Sequence, residues 1–543
     1  MQDLLQTNID CCNDLEKWLM AESSLLMLVN EALMGHYIEY CRDTSHEHNK
    51  QRYLHDERIV KPLLNRYQQL FDEKVANSPF IDGISANLKR LITLKRQGLR
   101  TMTPQIAPLE SREGELIARH NEIKSQFTVM WEGTPQTVYQ MRVHLKSSDR
   151  VVREKAWRAT KEARKMIGDE LDEIMDELIR VRHSIAEKAG FKNYVEYQFA
   201  KKNRIDYTIA DCKRLHEVVR EHIIPIYTEI QKNHRYVLGI ESYRPWDVYA
   251  SHGQHSSQNA FADSSELFEG VERMVRRVDH DVADLLIRMR NSELLDMDNR
   301  PNKTGTFMAP LHASRTAFLQ VNAAGQNLDI STTIHELGHC FHNHQYRHVD
   351  HLLYRRPPQE VTELASTGLE YLCLDKYDEF YEEKPRQRAA AFERVRDGLE
   401  NIVLACLMDK FQHWIYENPH HTKEERHETF NILARYFTHA GIDSHGLQDS
   451  LSLEWQELPH LYIVPLYMIE YAFAELAAIQ LWNIYASSPE EAIDGYKSAL
   501  ALGNTRGIPE IYTMAGINFD FSKRTVLQCA DRLRSIFIER GIA

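Results

Sequence analysis

His335, Glu336 and His339 stand at H-E-x-x-H spacing, and no other short stretch of this chain is as well suited to chemistry. On an α-helix, positions i and i+4 share a face, so the two imidazoles can be presented to one metal ion. Glu336 then points beside that ion, where it can take a proton from a water and deliver it to a leaving amine. A catalytic zinc usually has three protein ligands and keeps its fourth position open, so the motif lacks one ligand. Two further histidines follow in TTIHELGHCFHNH. His342 lies two turns from His335, about 10 Å along the axis, too far for one ion to be held by all three. His342 and His344 are therefore expected around the site or at the surface.

A histidine six residues beyond His339 would complete a metzincin site, but Gln345 stands there and excludes that class. The next helical run, QEVTELASTGLEYLCL, carries Glu360, Glu363 and Glu370 close to one face and Val361, Leu364, Leu369 and Leu372 on the other. Its spacing does not choose among the three glutamates. Glu363, at the centre, is the first candidate, and Glu360 reads as part of a solvated face.

These side chains need two helices to position them, one over about 329–345 and one over about 359–373. Asp329 and Ser331 are helix-start residues for the first. Gly338 sits inside that helix at a cost of about 1 kcal/mol relative to Ala, a cost explained if another backbone passes close by. Just upstream, GTFMAPLHASRTAFLQVNAA at 305–324 holds two short β-like runs separated by turn residues. An edge strand there could pair with an extended peptide and align its scissile bond.

The 543 residues exceed one simple core, so two packed lobes are expected. Only 22 Gly and 17 Pro occur, which favours long helices with short connections. The expected fold class is mostly α, with two helical lobes and a small β-sheet beside the metal helix. Residues 1–125 read as an N-terminal helical region and 126–543 as the catalytic region. The net charge is −13, from 66 basic and 79 acidic residues, which argues against a nucleic-acid partner. The basic run NLKRLITLKRQGLR at 87–100 reads as a solvated helix face. Eight scattered cysteines without C-x-x-C point to a reduced, cytoplasmic setting. The first 20 residues lack the form of a secretion signal. The apolar segment 462–485 is interrupted by Pro465, Glu470 and Glu475, so it reads as a buried helix, with no membrane partner.

With E-L-A-S-T-G-L-E at 363–370 following H-E-L-G-H, the chain resembles the thimet oligopeptidase and oligoendopeptidase F family of zinc peptidases. It is closest to the oligoendopeptidase F and Pz-peptidase branch. L-K-S-S-D-R-V-V-R at 145–153, A-G-F-K-N-Y at 189–194, K-T-G-T-F at 303–307 and F-Q-H-W-I-Y-E-N-P at 411–419 are similar to family segments, as is H-L-Y-I-V-P-L-Y-M-I-E-Y at 460–471. The resemblance spans roughly 130–540. It implies one zinc ion per chain on His335, His339 and Glu363, Glu336 as general base and then acid, and Glu370 holding a ligand histidine. It further implies two lobes flanking a deep channel that admits short peptides. His460, Tyr467 and Tyr471 are implied as the oxyanion machinery, with Tyr471 preferred over Tyr467. Met468 and Glu470 depart from the Tyr and Asp usual at those positions.

The expected function is a zinc-dependent endopeptidase of short unfolded oligopeptides. Two alternatives remain at this stage. One is a carboxypeptidase or dipeptidyl carboxypeptidase, with Arg355 and Arg356 as candidates to receive a terminal carboxylate. The other is a peptide-binding scaffold without catalysis, which would have no need of Glu336.

Overall fold

The computed structural model describes residues 1–103, 105–250 and 259–539. The chain is mostly helical, with one two-stranded and one three-stranded sheet. It forms two compact units, each assembled from separated segments. One comprises Met1–Arg100, Asn259–Val395 and Phe473–Asp520; the other comprises Thr101–Gln258, Arg396–Ala472 and Phe521–Ala543. The units are thus interleaved along the chain. The first 100 residues fold together with the H-E-x-x-H segment.

In the first unit, the N-terminal region supplies α1 (Cys12–Arg42), α2 (Lys61–Ala76) and α3 (Lys89–Leu99). Leu91, Ile92 and Leu94 of α3 are buried, and so is Lys95 at 3% exposure. The apolar residues lie between exposed Lys89, Arg96 and Arg100, as a solvated helix face requires, and Lys95 is the departure from it. The Lys95 Nζ donates to Glu22 Oε1 of α1 at 2.7 Å and to Asp72 Oδ1 of α2 at 2.6 Å, so one cation ties three helices together. Farther along α1, Ile38 packs with Ala309 and Phe318 of the sheet. The Ser23 hydroxyl accepts from the Leu352 N–H at 2.7 Å.

The two β-like runs form β2 (Phe307–Leu311) and β3 (Thr316–Gln320), antiparallel with Phe307 opposite Gln320 and Leu311 opposite Thr316. A two-residue strand, β1 (Leu295–Asp296), pairs parallel to β3 on its other side, so β2 is an edge strand. Pro310 fits there because an edge position tolerates a residue without an N–H. The next element, α4 (Asn327–Gln345), packs against this sheet. Its start lies two residues before Asp329, whose Oδ2 accepts the Ala324 and Gln326 N–H groups at 2.8 Å each. Asp329 therefore does serve the helix start, whereas Ser331 lies within the helix and is bonded elsewhere.

Helix α5 (Gln359–Leu372) crosses α4 in close contact. A Cβ added to Gly338 would lie 2.6 Å from Ser366 Cα and 2.7 Å from the Ala365 carbonyl oxygen, both backbone atoms. The passing backbone expected from the in-helix glycine is thus α5. The Tyr496 hydroxyl donates to the same Ala365 carbonyl. The first unit is completed by parts of α6 (Lys384–Glu417) and α7 (Ile469–Ser487). The expected buried helix over 462–485 corresponds to α7, and among the described residues no helix is long and apolar enough to cross a membrane.

The second unit is organised on a 39-residue helix, Arg150–Lys188, about 58 Å long at 1.5 Å per residue. Asp149 begins it by accepting the Val151 N–H at 2.9 Å. A hairpin of Val129–Trp131 and Thr134–Gln136 covers one end, with Trp131, Trp157 and Trp246 in one cluster. At the other end the fully buried Arg182 donates to the Leu461 carbonyl at 3.2 Å, to the Tyr462 carbonyl and to the Tyr416 hydroxyl at 2.8 Å.

Two stability outcomes follow from these contacts. Lys95→Met leaves Glu22 and Asp72 buried without their cation, and losing one partner of a buried ion pair costs about 3–5 kcal/mol. Its melting temperature should fall, and adding E22L and D72L should restore much of the loss. Gly338→Ala places a methyl group against backbone that cannot rotate away. Ala is the better helix former by about 1 kcal/mol, yet overpacking costs about 1–3 kcal/mol, so a lowered melting temperature is expected by differential scanning calorimetry.

Candidate metal and catalytic centre

The glycine contact sets the two helices so that His335 and His339 of α4 face Glu363 of α5. One ligand atom from each lies within 4.8 Å of the others, and this is the cluster of metal-ligating type among the described residues. His335 Nε2 is 3.5 Å from Glu363 Oε2. Two atoms each about 2.1 Å from a tetrahedral ion are about 3.4 Å apart, so that pair already has the edge length of a zinc site. The two imidazole rings lie 4.9 Å apart at 89°, one turn from each other on α4. A set of two nitrogens and one carboxylate oxygen suits zinc and leaves a fourth position open.

Glu370 lies one layer out. Its Oε1 is 2.8 Å from His335 Nδ1, so Nδ1 carries a proton and Nε2 is the atom turned toward Glu363 and the metal position. The other oxygen, Oε2, accepts from Ser331 Oγ at 2.5 Å and from Arg394 Nε of α6 at 2.6 Å. Arg394 Nη2 also reaches Glu475 Oε1 of α7 at 3.2 Å. Burial pushes the Glu370 carboxyl up, but Arg394, His335 and Ser331 overcome it and hold the pKa at about 2. Burial pulls His335 down, yet Glu363 and Glu370 beside it raise it to about 10. Burial and the neighbouring His335 lower His339 to about 4.

Glu336 is half-buried beside this cluster, with the Met308 backbone of edge strand β2 near enough to lower its pKa a little. Burial raises its pKa against the lowering effect of His335, and Glu363 raises it further. A carboxylate with raised pKa is a better proton acceptor than an ordinary one. Glu360, expected at a solvated face, is 3% exposed. The acidic side of α5 is covered rather than open: Glu360, Glu363 and Glu370 are all buried, and the Tyr512 hydroxyl donates to the Glu360 carbonyl at 3.1 Å. His342 and His344 lie outside the metal cluster. His342 is buried against Tyr346, with ring centroids 5.0 Å apart, and burial pulls it to about 3. His344 is half-buried beside Arg288.

The three aromatic residues singled out near the C-terminus meet within the second unit. His460 begins a single helical turn, His460–Ile463, and Tyr471 lies in the first turn of α7. Tyr467 precedes α7 by two residues, so it does not share that helix with Tyr471. Leu466 explains the difference: its φ of +57° is left-handed, a strained conformation for a branched residue, and it breaks the helix there. Gln412 Oε1 accepts the Leu466 N–H at 3.0 Å, and Arg204 Nη2 donates to its carbonyl at 2.6 Å. The turn still brings the rings together. Centroid distances are 5.3 Å for Tyr467–Tyr471, 6.1 Å for His460–Tyr467 and 6.2 Å for His460–Tyr471. Met468 is buried, and Glu470 pairs with Arg204 at 2.6 Å.

Arg355 is not free to bind a terminal carboxylate. It is 2% exposed, and its guanidinium donates to the carbonyls of Val349, His312 and Arg347. Arg356 donates to Asn30 Oδ1 at 3.0 Å. Sequence reasoning missed Ser331, Arg394 and Glu475 as parts of the centre. A signal existed for Glu475, since a carboxylate in an apolar buried helix requires a partner. Arg394 carried none, being one of several basic residues in a 34-residue helix.

The sequence model of Peptidase family M3 matches residues 143–530. The chain is 22% identical over 493 residues to the Group B oligopeptidase PepB of Streptococcus agalactiae, covering 89% of this chain and 77% of that protein. It is 21% identical over 400 residues to an oligoendopeptidase F homolog of Borreliella burgdorferi, covering 71% of this chain and 64% of the relative. The fold is similar to that of Pz peptidase A solved with an inhibitor, with a TM-score of 0.88 at 24% identity over 100% of this chain and 96% of that one. It is also similar to oligoendopeptidase-F from Enterococcus faecium, with a TM-score of 0.63 at 14% identity over 98% and 93% of the two chains. The likeness in fold includes the first 125 residues, which carry no recognisable motif of their own. The family match takes in well over half of the sequence, with α4, α5 and the C-terminal tyrosines inside it: this chain belongs to Peptidase family M3.

Proposed function

We propose that this protein is a zinc-dependent endopeptidase that hydrolyses short, unfolded oligopeptides. The observation that carries this reading is the convergence of His335, His339 and Glu363 with Glu336 between the two histidines. These three side chains would hold one zinc ion. When bound, zinc supplies Lewis acidity toward water and the scissile carbonyl.

The protein's own residues account for the proton traffic and positioning. Edge strand β2 offers backbone groups to an extended peptide and sets its carbonyl beside Glu336. Glu336 takes a proton from the attacking water as the new C–O bond forms. It returns that proton to the amine nitrogen as the C–N bond breaks. Negative charge developing on the carbonyl oxygen calls for hydrogen-bond donors. Tyr471 is the first choice for that donor, with Tyr467 second and His460 supporting them. The unbroken set of Glu336 with three ligands favours an enzyme over a binding scaffold. The occupied guanidinium of Arg355 gives the carboxypeptidase alternative no support. Eight cysteines, none joined in a disulfide, fit a reducing cytoplasmic location.

Digestion of a mixed peptide library, read by mass spectrometry with and without a zinc chelator, tests the whole reading. Internal cleavage that stops with chelation and returns with zinc is expected. Trimming confined to C-termini would replace the endopeptidase reading, and no cleavage at full zinc occupancy would remove it. Glu336→Gln should keep one zinc per chain by metal analysis while kcat/KM falls at least about 100-fold, the usual scale of general-base catalysis. Tyr471→Phe should lower kcat by about 100-fold with little change in KM, as for loss of one oxyanion donor. A larger loss in Tyr467→Phe would exchange the roles of the two tyrosines.

A further inference from the structure

We propose that Arg394 is a positioning residue of the metal centre, fixing Glu370 and through it the His335 ring, with Glu475 as its anchor. The inference rests on the assignment of His335 as a metal ligand. A glutamate side chain has three rotatable bonds, so holding an imidazole in one orientation requires that its carboxylate be held as well. Glu370 is held by a division of its oxygens. One receives the imidazole, from Nδ1 at 2.8 Å; the other receives Ser331 Oγ and Arg394 Nε.

The contact to Arg394 is forked, because Nη2 also lies 3.4 Å from Glu370 Oε1. A planar fork sets the plane of a carboxylate, which a single point charge does not. Arg394 is itself fixed on two further sides. Its Nη2 donates to Glu475 at 3.2 Å, and its guanidinium lies 4.8 Å from the centre of the Tyr371 ring. Arg394, Glu370 and Glu475 are each no more than 8% exposed, so water cannot replace these contacts freely. The positioning therefore passes from α6 and α7 through α5 to the histidine on α4. Arg394 also stands between two buried carboxylates that would otherwise repel each other, and it keeps Glu370 turned away from the cation position.

Zinc dissociation constants are measured by competition with a chromophoric chelator for the wild-type chain, H335A, R394M and R394K. One zinc per wild-type chain, lost in H335A, is required by the ligand assignment. Failure of that control overturns the assignment itself and is read before any Arg394 variant. Outer contacts to metal ligands are typically worth about 10–100-fold in affinity, and R394M is expected to bind zinc about 10-fold more weakly or worse. R394K, which keeps the charge without the fork, is expected to fall between R394M and wild type. A merely structural Arg394 would lower the melting temperature of R394M and leave its zinc affinity within twofold of wild type, and that result overturns the proposal. If R394M does not fold, R394K decides alone: wild-type affinity there overturns the proposal, because the fork is what it removes.

Discussion

The contact between α4 and α5 at Gly338 is the constraint on which the rest of the centre depends. Two helices carrying ordinary side chains keep their axes about 8–10 Å apart, and a closer approach needs a residue without a Cβ. At Gly338 the neighbouring atoms are backbone, Ser366 Cα and the Ala365 carbonyl oxygen. They lie on the same turns of α5 as Glu363. A residue with a side chain at 338 would push α5 outward and carry Glu363 away from His335 and His339. The hydroxyl of Tyr496, whose ring stacks on Phe341 of α4, donates to the same carbonyl.

Around that contact the first unit gathers more buried charge than a protein interior accepts without compensation. Glu363, Glu370 and Glu475 are all buried, and Glu336 is partly so. Arg394 offsets two of them and a metal ion would offset the others. Away from the centre, Lys95 performs the same service for Glu22 and Asp72. The second unit solves a different problem with the same residue type. There Arg182 and Arg204 spend their guanidinium groups on the backbone carbonyls of Leu461, Tyr462 and Leu466. Those bonds hold an irregular segment, including one left-handed leucine, in the shape that brings Tyr467 against His460 and Tyr471. In both units, buried arginines bind the groups that surround the half-buried candidate residues.

Some of this was open to reading along the chain and some was not. The H-E-x-x-H spacing sufficed to pair His335 with His339, because i and i+4 share a helix face whatever surrounds them. The cost of a glycine within that helix signalled a close neighbour, and the neighbour is α5. The acidic stripe of α5 marked Glu363 and Glu370, but periodicity alone made Glu360 look solvated. Which faces of a helix are covered depends on elements far away in sequence, here the segment that carries Tyr512. Tyr467 and Tyr471 are four residues apart, a spacing that would put them on one helical face, but no continuous helix joins them. The left-handed turn at Leu466 is held by Gln412 and Arg204, neither of them local, so no local pattern could reveal it. Lys95 was one basic residue in a basic run until Glu22 and Asp72 were placed beside it.

By itself, then, the amino-acid sequence determined a mostly helical chain, the placing of His335, Glu336 and His339 on one helix, and the short list of glutamates carried by the next helical run. These depend on spacing within single elements, which the geometry of a helix translates directly into position. The family resemblance implied Glu363 beside the histidines with Glu370 behind one of them; only the tertiary structure decided that Arg394 and Ser331 hold Glu370, and that the first 100 residues build the same unit as α4 and α5. Those outcomes depend on the packing of segments up to several hundred residues apart. The physical reason is that burial and charge compensation are properties of a packed neighbourhood, and a neighbourhood exists only once the chain has folded.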